Sequence, residues 1–397
     1  MSYLHEIASR LIRADTESHR SAVGALEALA DDLDRFGFRV ELQRYPGDAA
    51  PQANLVAAAG PAEPGGLALS GHVDVVPFAD QPGWTREPLE LRFEGDRAYG
   101  RGTSDMKGFL AQAMEAARRL DPASLARPVS LLFTAEEEIG CLGAGRLAPA
   151  LPALLAPLPP PARAWIGEPT SGRVFHAHKG IVAFAVQVRG EGGHSSVPEA
   201  GTNAIAVAAQ VVAAVGAIQA ELREAPRPDF ATLYPEAPYT TLNFGTIRGG
   251  SAANMIAEAC ELRLSYRPLP DEEPLALYER IRARLAELDP RDWASPGRRP
   301  AVEVGAPRVA PGLLAPRGTA LEAELVGAYG HPGSAGAPYC TDGGRLAEAG
   351  LEVLICGPGE LAQAHQPDES VDRHALESGP DRILQVVRAL CGGRERA

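Results

Sequence analysis

Two periods of apolar residues alternate along the first 178 residues of this chain: helix-period segments, and short continuous apolar runs. That alternation predicts a sheet covered by helices. The runs are LALSG before His72, VSLLFTA before Glu136 and ARAWIG before Glu168, with a fourth, LEVLICG, far downstream and just ahead of His365. In open α/β sheets the ligand site lies beyond the carboxyl ends of the strands, so the four runs direct their acidic and imidazole residues to one edge.

The middle of the chain has a different rhythm. Strand IVAFAVQVRG, helix NAIAVAAQVVAAVGAIQAELRE, strands TLNFGTIRG and ACELRLSYRPL, helix EPLALYERIRARLAEL and strand AVEVG follow in turn. This is a split βαβ pattern, with two helices on a four-stranded antiparallel sheet. The fold expected is therefore α/β: a mixed-sheet, three-layer domain (1–178 and 309–397) interrupted by a ferredoxin-like α+β domain (179–308). DPRDWASPGRRP reads as a loop inside the inserted domain, and the Ala/Pro-rich run at 148–164 as an irregular surface connection. Length agrees with two domains, since 397 residues exceed the size at which one core stops growing.

Composition narrows the partners. Hydrophobic residues at 45% and charged residues at 22% are globular values. A net charge of −13 without a basic run disfavours nucleic acid and anionic membrane surfaces. The N-terminus lacks an apolar leader core, and no stretch approaches the ~18 apolar residues of a spanning helix, so a cytoplasmic protein is expected. Cys141, Cys260, Cys340, Cys356 and Cys391 are scattered without ligand spacing and read as reduced thiols.

The candidate chemistry sits after the apolar runs. His72 and Asp74 in GHVDVVPF are two residues apart, so both side chains leave one face of an extended segment. That spacing suits an imidazole that ligates metal and a carboxylate that orients it. Asp105 in YGRGTSDMKG follows a Gly-rich turn and precedes an amphipathic helix. It suits a helix N-cap, or a carboxylate free to bridge two cations. Glu136, Glu137 and Glu138 suit a solvated helix start, or a metal ligand beside a free base at the edge where His72 lies. Glu168 in WIGEPT and His365 in AHQPDESV complete an N/O donor set that suits Zn2+ and admits Co2+ or Mn2+.

These strings, with GHSSVPEAGTNAI and GGSAANMIAEACELRLSYRPLP, together resemble the dizinc deacylase family that includes acetylornithine deacetylase, succinyl-diaminopimelate desuccinylase, aminoacylase and glutamate carboxypeptidase. The resemblance runs through nearly the whole chain in order. It implies two Zn2+ ions, with His72 and Glu168 on one, Glu138 and His365 on the other, and Asp105 as the bridge. It implies Glu137 as general base and acid and Asp74 as the residue that orients His72. The family usually shows Asp-Glu-Glu where this chain has Glu136–Glu138, and the last two align as base and ligand. The inserted domain resembles the family's lid and dimerisation domain. His194 then polarises the scissile carbonyl, and Asn254 and Arg267 meet the substrate carboxylate. HAHKG, PYCTDGG and GPGELAQAHQPDE are most similar to the acetylornithine deacetylase branch, which places Thr341, Gly357 and Gly359 at the substrate pocket. The implied activity is hydrolysis of an N-acyl amino acid by a homodimer. Deacylation of acetylcitrulline or succinyl-diaminopimelate, di- or tripeptide hydrolysis, and a silent metal-binding protein are the competing expectations.

Overall fold

The computed structural model describes residues 2–288, 300–331 and 333–393. These form two compact units, Met1–Ala177 with Leu313–Ala397, and His178–Gly312. The loop expected over DPRDWASPGRRP falls, but for Pro300, outside the described residues.

Among the described residues, nine strands form the sheet of the first unit. At its centre the four apolar runs are neighbours, in the order Val129–Thr134, Leu67–His72, Arg163–Ile166 and Glu352–Ile355, all parallel. Parallel strands covered on both faces need continuous apolar sequence, which explains why these runs do not alternate. Leu67, Leu131, Phe133, Trp165, Val353 and Ile355 are sealed from solvent. Each such side chain contributes about 1.5–3 kcal/mol.

Register sets the site. His72 lies opposite Thr134, and Ser70 opposite Ile166. Glu168, two residues beyond Ile166, therefore comes level with His72, two beyond Ser70. On one side of the sheet, helix Lys107–Arg119 packs against Tyr3–Arg13 and Arg373–Cys391. That accounts for its run of small buried residues, Gly108, Ala111, Ala113, Ala116 and Ala117.

One expectation fails here. The Ala/Pro-rich run at 148–164 begins as helix, because Leu142–Leu155 continues through Pro149 and Pro152. Proline removes a helical hydrogen bond at a local cost. Here Leu147, Leu151 and Leu155 bury one face of the helix in the core, and packing outweighs that loss.

In the second unit, Thr241–Gly249, Ala259–Arg267, Ile181–Arg189 and Ala301–Val304 make an antiparallel sheet in that order. A fifth strand, Arg308–Ala310, pairs with residues 181–183, so the sheet exceeds the four strands expected and the unit extends to Gly312. Three residues are too few to show alternation in the sequence. Along Ile181–Arg189 burial alternates, as it must when one face meets the helices.

Helix Ala204–Glu224 is long and apolar enough to cross a membrane by composition, against the sequence expectation. Val207, Val211, Val215 and Ile218 on one face belong to the core of this unit, which accounts for part of its apolar character. Asn203 caps its start, accepting from the N–H groups of Ile205 and Ala206.

Candidate active site

His72 ends its strand, so its ring stands at the carboxyl edge of the sheet. Its Nδ1 faces the main-chain carbonyl of Asp74 at 2.9 Å. A carbonyl only accepts, so Nδ1 carries the proton and Nε2 is left for the site. Nε2 lies 3.2 Å from Asp105 Oδ1 and 3.8 Å from Glu168 Oε1. The Asp74 carboxylate is further from Nδ1, at 3.6 Å. It accepts instead from the Ser18 hydroxyl at 2.7 Å and from the N–H groups of Glu137 at 3.1 Å and Glu138 at 3.3 Å. Asp74 thus ties the His72 strand end to the turn that carries the glutamates.

Asp105 does not cap the helix that follows it. That helix starts at Lys107, with Met106 at the cap position and no side-chain cap bond. The Asp105 oxygens point elsewhere: Oδ1 toward His72, and Oδ2 toward His365 Nε2 at 3.3 Å. His365 Nε2 also meets the Glu138 carboxylate at 3.2 Å.

The glutamate triplet is not a solvated helix start either, since the next helix begins at Leu142 and has no acid in its first turn. Glu136 turns away, accepting from the N–H of Asp48. Glu137 is buried and groups with His72 and Glu168, while Glu138 groups with His72 and Asp105. His72, Asp105, Glu137, Glu138, Glu168 and His365 are thus brought together, from five separate segments of chain.

Electrostatics follow from that crowding. Burial, then the charges of Glu168 and Glu138, push Glu137 well above the usual carboxylate range, with His72 opposing. Burial followed by Asp105 does the same to Glu168, and Glu138 is raised by the same pair of causes. Burial alone would lower His72, but hydrogen bonds to Asp105 and Asp74 raise it well above its ordinary value. Hydrogen bonds to Asp105 and Glu138 lift His365 to about 10. Carboxyls raised by burial and then by one another's charge mark a crowding of acidic groups that divalent cations would neutralise. Two lone-pair atoms facing each other at 3.2 Å, His72 Nε2 and Asp105 Oδ1, also call for a proton or a metal ion between them. The donors fit a metal pair.

Thr341 is buried, and its hydroxyl accepts from the N–H of Gly343. A Cβ on Gly357 would lie 2.1 Å from the Gly167 carbonyl, and one on Gly359 2.2 Å from that of Ser104. These approaches require glycine and hold the chain after Ile355 against the segments that bear Glu168 and Asp105.

His194, Asn254 and Arg267 belong to the second unit. His194 pairs in register with Met255, the N–H of Ser195 donates to the Asn254 carbonyl, and His194 Nδ1 meets the Ser196 hydroxyl at 2.7 Å. Arg267 ends its strand opposite Thr241.

Sequence reading missed Ser18 on Asp74. It also missed Asp342, whose Oδ2 accepts from Thr134 beside the site. Neither lies after an apolar run in a way that signals a partner so distant in sequence.

Paired imidazoles and shared carboxylates on such a sheet edge define a metallo-amidohydrolase. The profile of Peptidase family M20/M25/M40 matches residues 68–389, and the chain belongs to that family. It is 36% identical over 382 residues to the acetylornithine deacetylase of Yersinia pestis, covering 95% of this chain and 93% of the relative. An M20 family metallo-carboxypeptidase from Sulfolobus solfataricus shares the fold with a TM-score of 0.77 at 16% identity, covering 98% of this chain and 99% of that one. A dinuclear metal-binding M20 peptidase from Bacillus subtilis does so with a TM-score of 0.64 at 16% identity, covering 98% and 96%.

Proposed function

We propose that this chain hydrolyses the amide bond of N-acyl amino acids, with N2-acetyl-L-ornithine as substrate and L-ornithine and acetate as products. The observation that carries the reading is Asp105, whose two oxygens face two different imidazoles beside the buried Glu137. Likeness to acetylornithine deacetylase over nearly the full chain supports the substrate.

Two Zn2+ ions suit the donors, with Co2+ or Mn2+ as substitutes. His72, Glu168 and Asp105 would hold one, and Asp105, Glu138 and His365 the other. When bound, such ions polarise the amide carbonyl and make a water nucleophilic. Glu137 takes a proton from the attacking water and hands it to the leaving amine. Asp74 keeps the proton of His72 on Nδ1 through its carbonyl. His194 stabilises the developing oxyanion. Arg267 holds the substrate carboxylate in bidentate fashion with Asn254 beside it, and Thr341, Gly357 and Gly359 line the pocket.

The His178–Gly312 unit serves as lid and dimer contact in this reading. Val197, Ile205, Ile247 and Met255, all exposed in that unit, support a homodimer. Five cysteines without a disulfide among the described residues support a cytoplasmic enzyme.

A panel of substrates tests the proposal. Zinc-loaded protein should turn over N2-acetylornithine at least about tenfold faster than acetylcitrulline, succinyl-diaminopimelate or dipeptides. Faster cleavage of dipeptides with a free amino terminus would show a peptidase instead.

A further inference from the structure

Glu369 directly precedes the short strand Ser370–Asp372 and is sealed from solvent. Its Oε1 accepts from the N–H groups of Ser104 at 2.9 Å and Asp105 at 3.0 Å. Its Oε2 accepts from the N–H of Gly102 at 3.0 Å and from Arg101 Nη1 at 2.8 Å. One carboxylate therefore gathers the main chain of the whole turn that presents Asp105, and its acceptor capacity is filled.

Arg101, also buried, extends the arrangement. Its Nη2 donates to Gln81 Oε1, and Gln81 Nε2 donates to the main-chain carbonyl of His365 at 2.7 Å. The amide can stand in one orientation alone, because a guanidinium only donates and a carbonyl only accepts. The indole N–H of Trp84 also donates to Gln81 Oε1, at 3.2 Å. At its far end His365 has φ +61°, a backbone state that a residue with a side chain holds only where its surroundings impose it. The bond from Gln81 is one such constraint.

We propose that Glu369, Arg101 and Gln81 form a positioning network that sets Asp105 and His365 as one unit, and so holds the cation position that those two residues share with Glu138. This rests on the reading of Asp105 and His365 as ligands. None of the three touches the donor atoms, so they act through the backbone: Glu369 through the N–H of Asp105, and Gln81 through the carbonyl of His365. His72 and Glu168 receive nothing from the network, so the other cation position feels its loss only through Asp105, the one ligand both positions share.

The test is equilibrium dialysis of the full-length protein against buffered free zinc, with metal content per chain, for the native protein, Glu369→Gln and Gln81→Leu. Visible absorption after cobalt loading is the second readout. Native protein should bind two metals. Gln81→Leu, acting through His365 alone, should hold one with native affinity and bind the other about tenfold or more weakly. Glu369→Gln, acting on the shared Asp105, should weaken both. Each variant should show altered cobalt bands and a kcat restored by excess metal. Two metals bound with unchanged affinity and unchanged bands in Glu369→Gln would overturn the network. If Glu369→Gln does not fold, the half-buried Gln81→Leu decides alone by the same criteria. Fewer than two metals on the native protein would instead sink the ligand reading, and the network with it.

Discussion

The Asp74 carboxylate accepts from the main-chain N–H of Glu137 at 3.1 Å, so the residue next to the His72 strand also fixes the turn from which Glu137 and Glu138 depart. Asp74→Ala would leave the N–H groups of Glu137 and Glu138 without this acceptor, at about 1–3 kcal/mol for each group left unsatisfied. Metal affinity should fall about 10–100-fold, as titration of the metal-free variant with zinc would measure. Native affinity would show that the Asp74 carbonyl suffices to orient His72.

Glu137 contributes its carboxyl to the His72 and Glu168 side of the cluster. Glu137→Ala should keep metal content near native while turnover falls by about 10²–10⁴-fold. Metal analysis and steady-state rates on the same sample check this. Native rates would remove Glu137 from proton transfer.

Lys107 is sealed from solvent and donates from Nζ to the Ala14 carbonyl at 2.9 Å. Burial, opposed by Glu369 and Asp15, lowers it from 10.5 to about 7. Between those values the unfolded chain binds the proton that the folded chain has released, so folding stability rises with pH across that window. Below the lower value both states carry the charge and the burial penalty is fully present. In metal-stripped protein, the stability of the native chain relative to Lys107→Met should therefore increase from pH 7 to pH 10. A difference independent of pH in denaturant titrations would refute this.

Asn203 caps helix Ala204–Glu224 through two main-chain N–H groups. Asn203→Ala should cost about 0.5–2 kcal/mol, and Asn203→Asp far less. Chemical denaturation followed by a probe in the His178–Gly312 unit would show the shift, and equal losses in both variants would deny the cap its role.

The strands of the first unit were legible because a parallel strand covered on both faces must be apolar throughout, as VSLLFT and LALSG are. The second unit was legible because one-sided burial forces alternation, as in IVAFAVQVR. The helix through Pro149 and Pro152 was not: local rules penalise both prolines, and only the packing of Leu147, Leu151 and Leu155 reverses the balance.

The same division runs through the site. By itself the sequence determined which residue types stand after which strands, because strand ends and turn residues are local properties of the chain. It left Asp105 between helix cap and bridge, and the glutamate triplet between solvent and metal. Tertiary structure removed the cap and the solvated-start readings, by starting the helix at Lys107, bringing His365 to Glu138 across 227 positions and turning Glu136 back to Asp48. The direction of a side chain is chosen by the partner it meets, and those partners lie on strands that become neighbours only when the sheet forms.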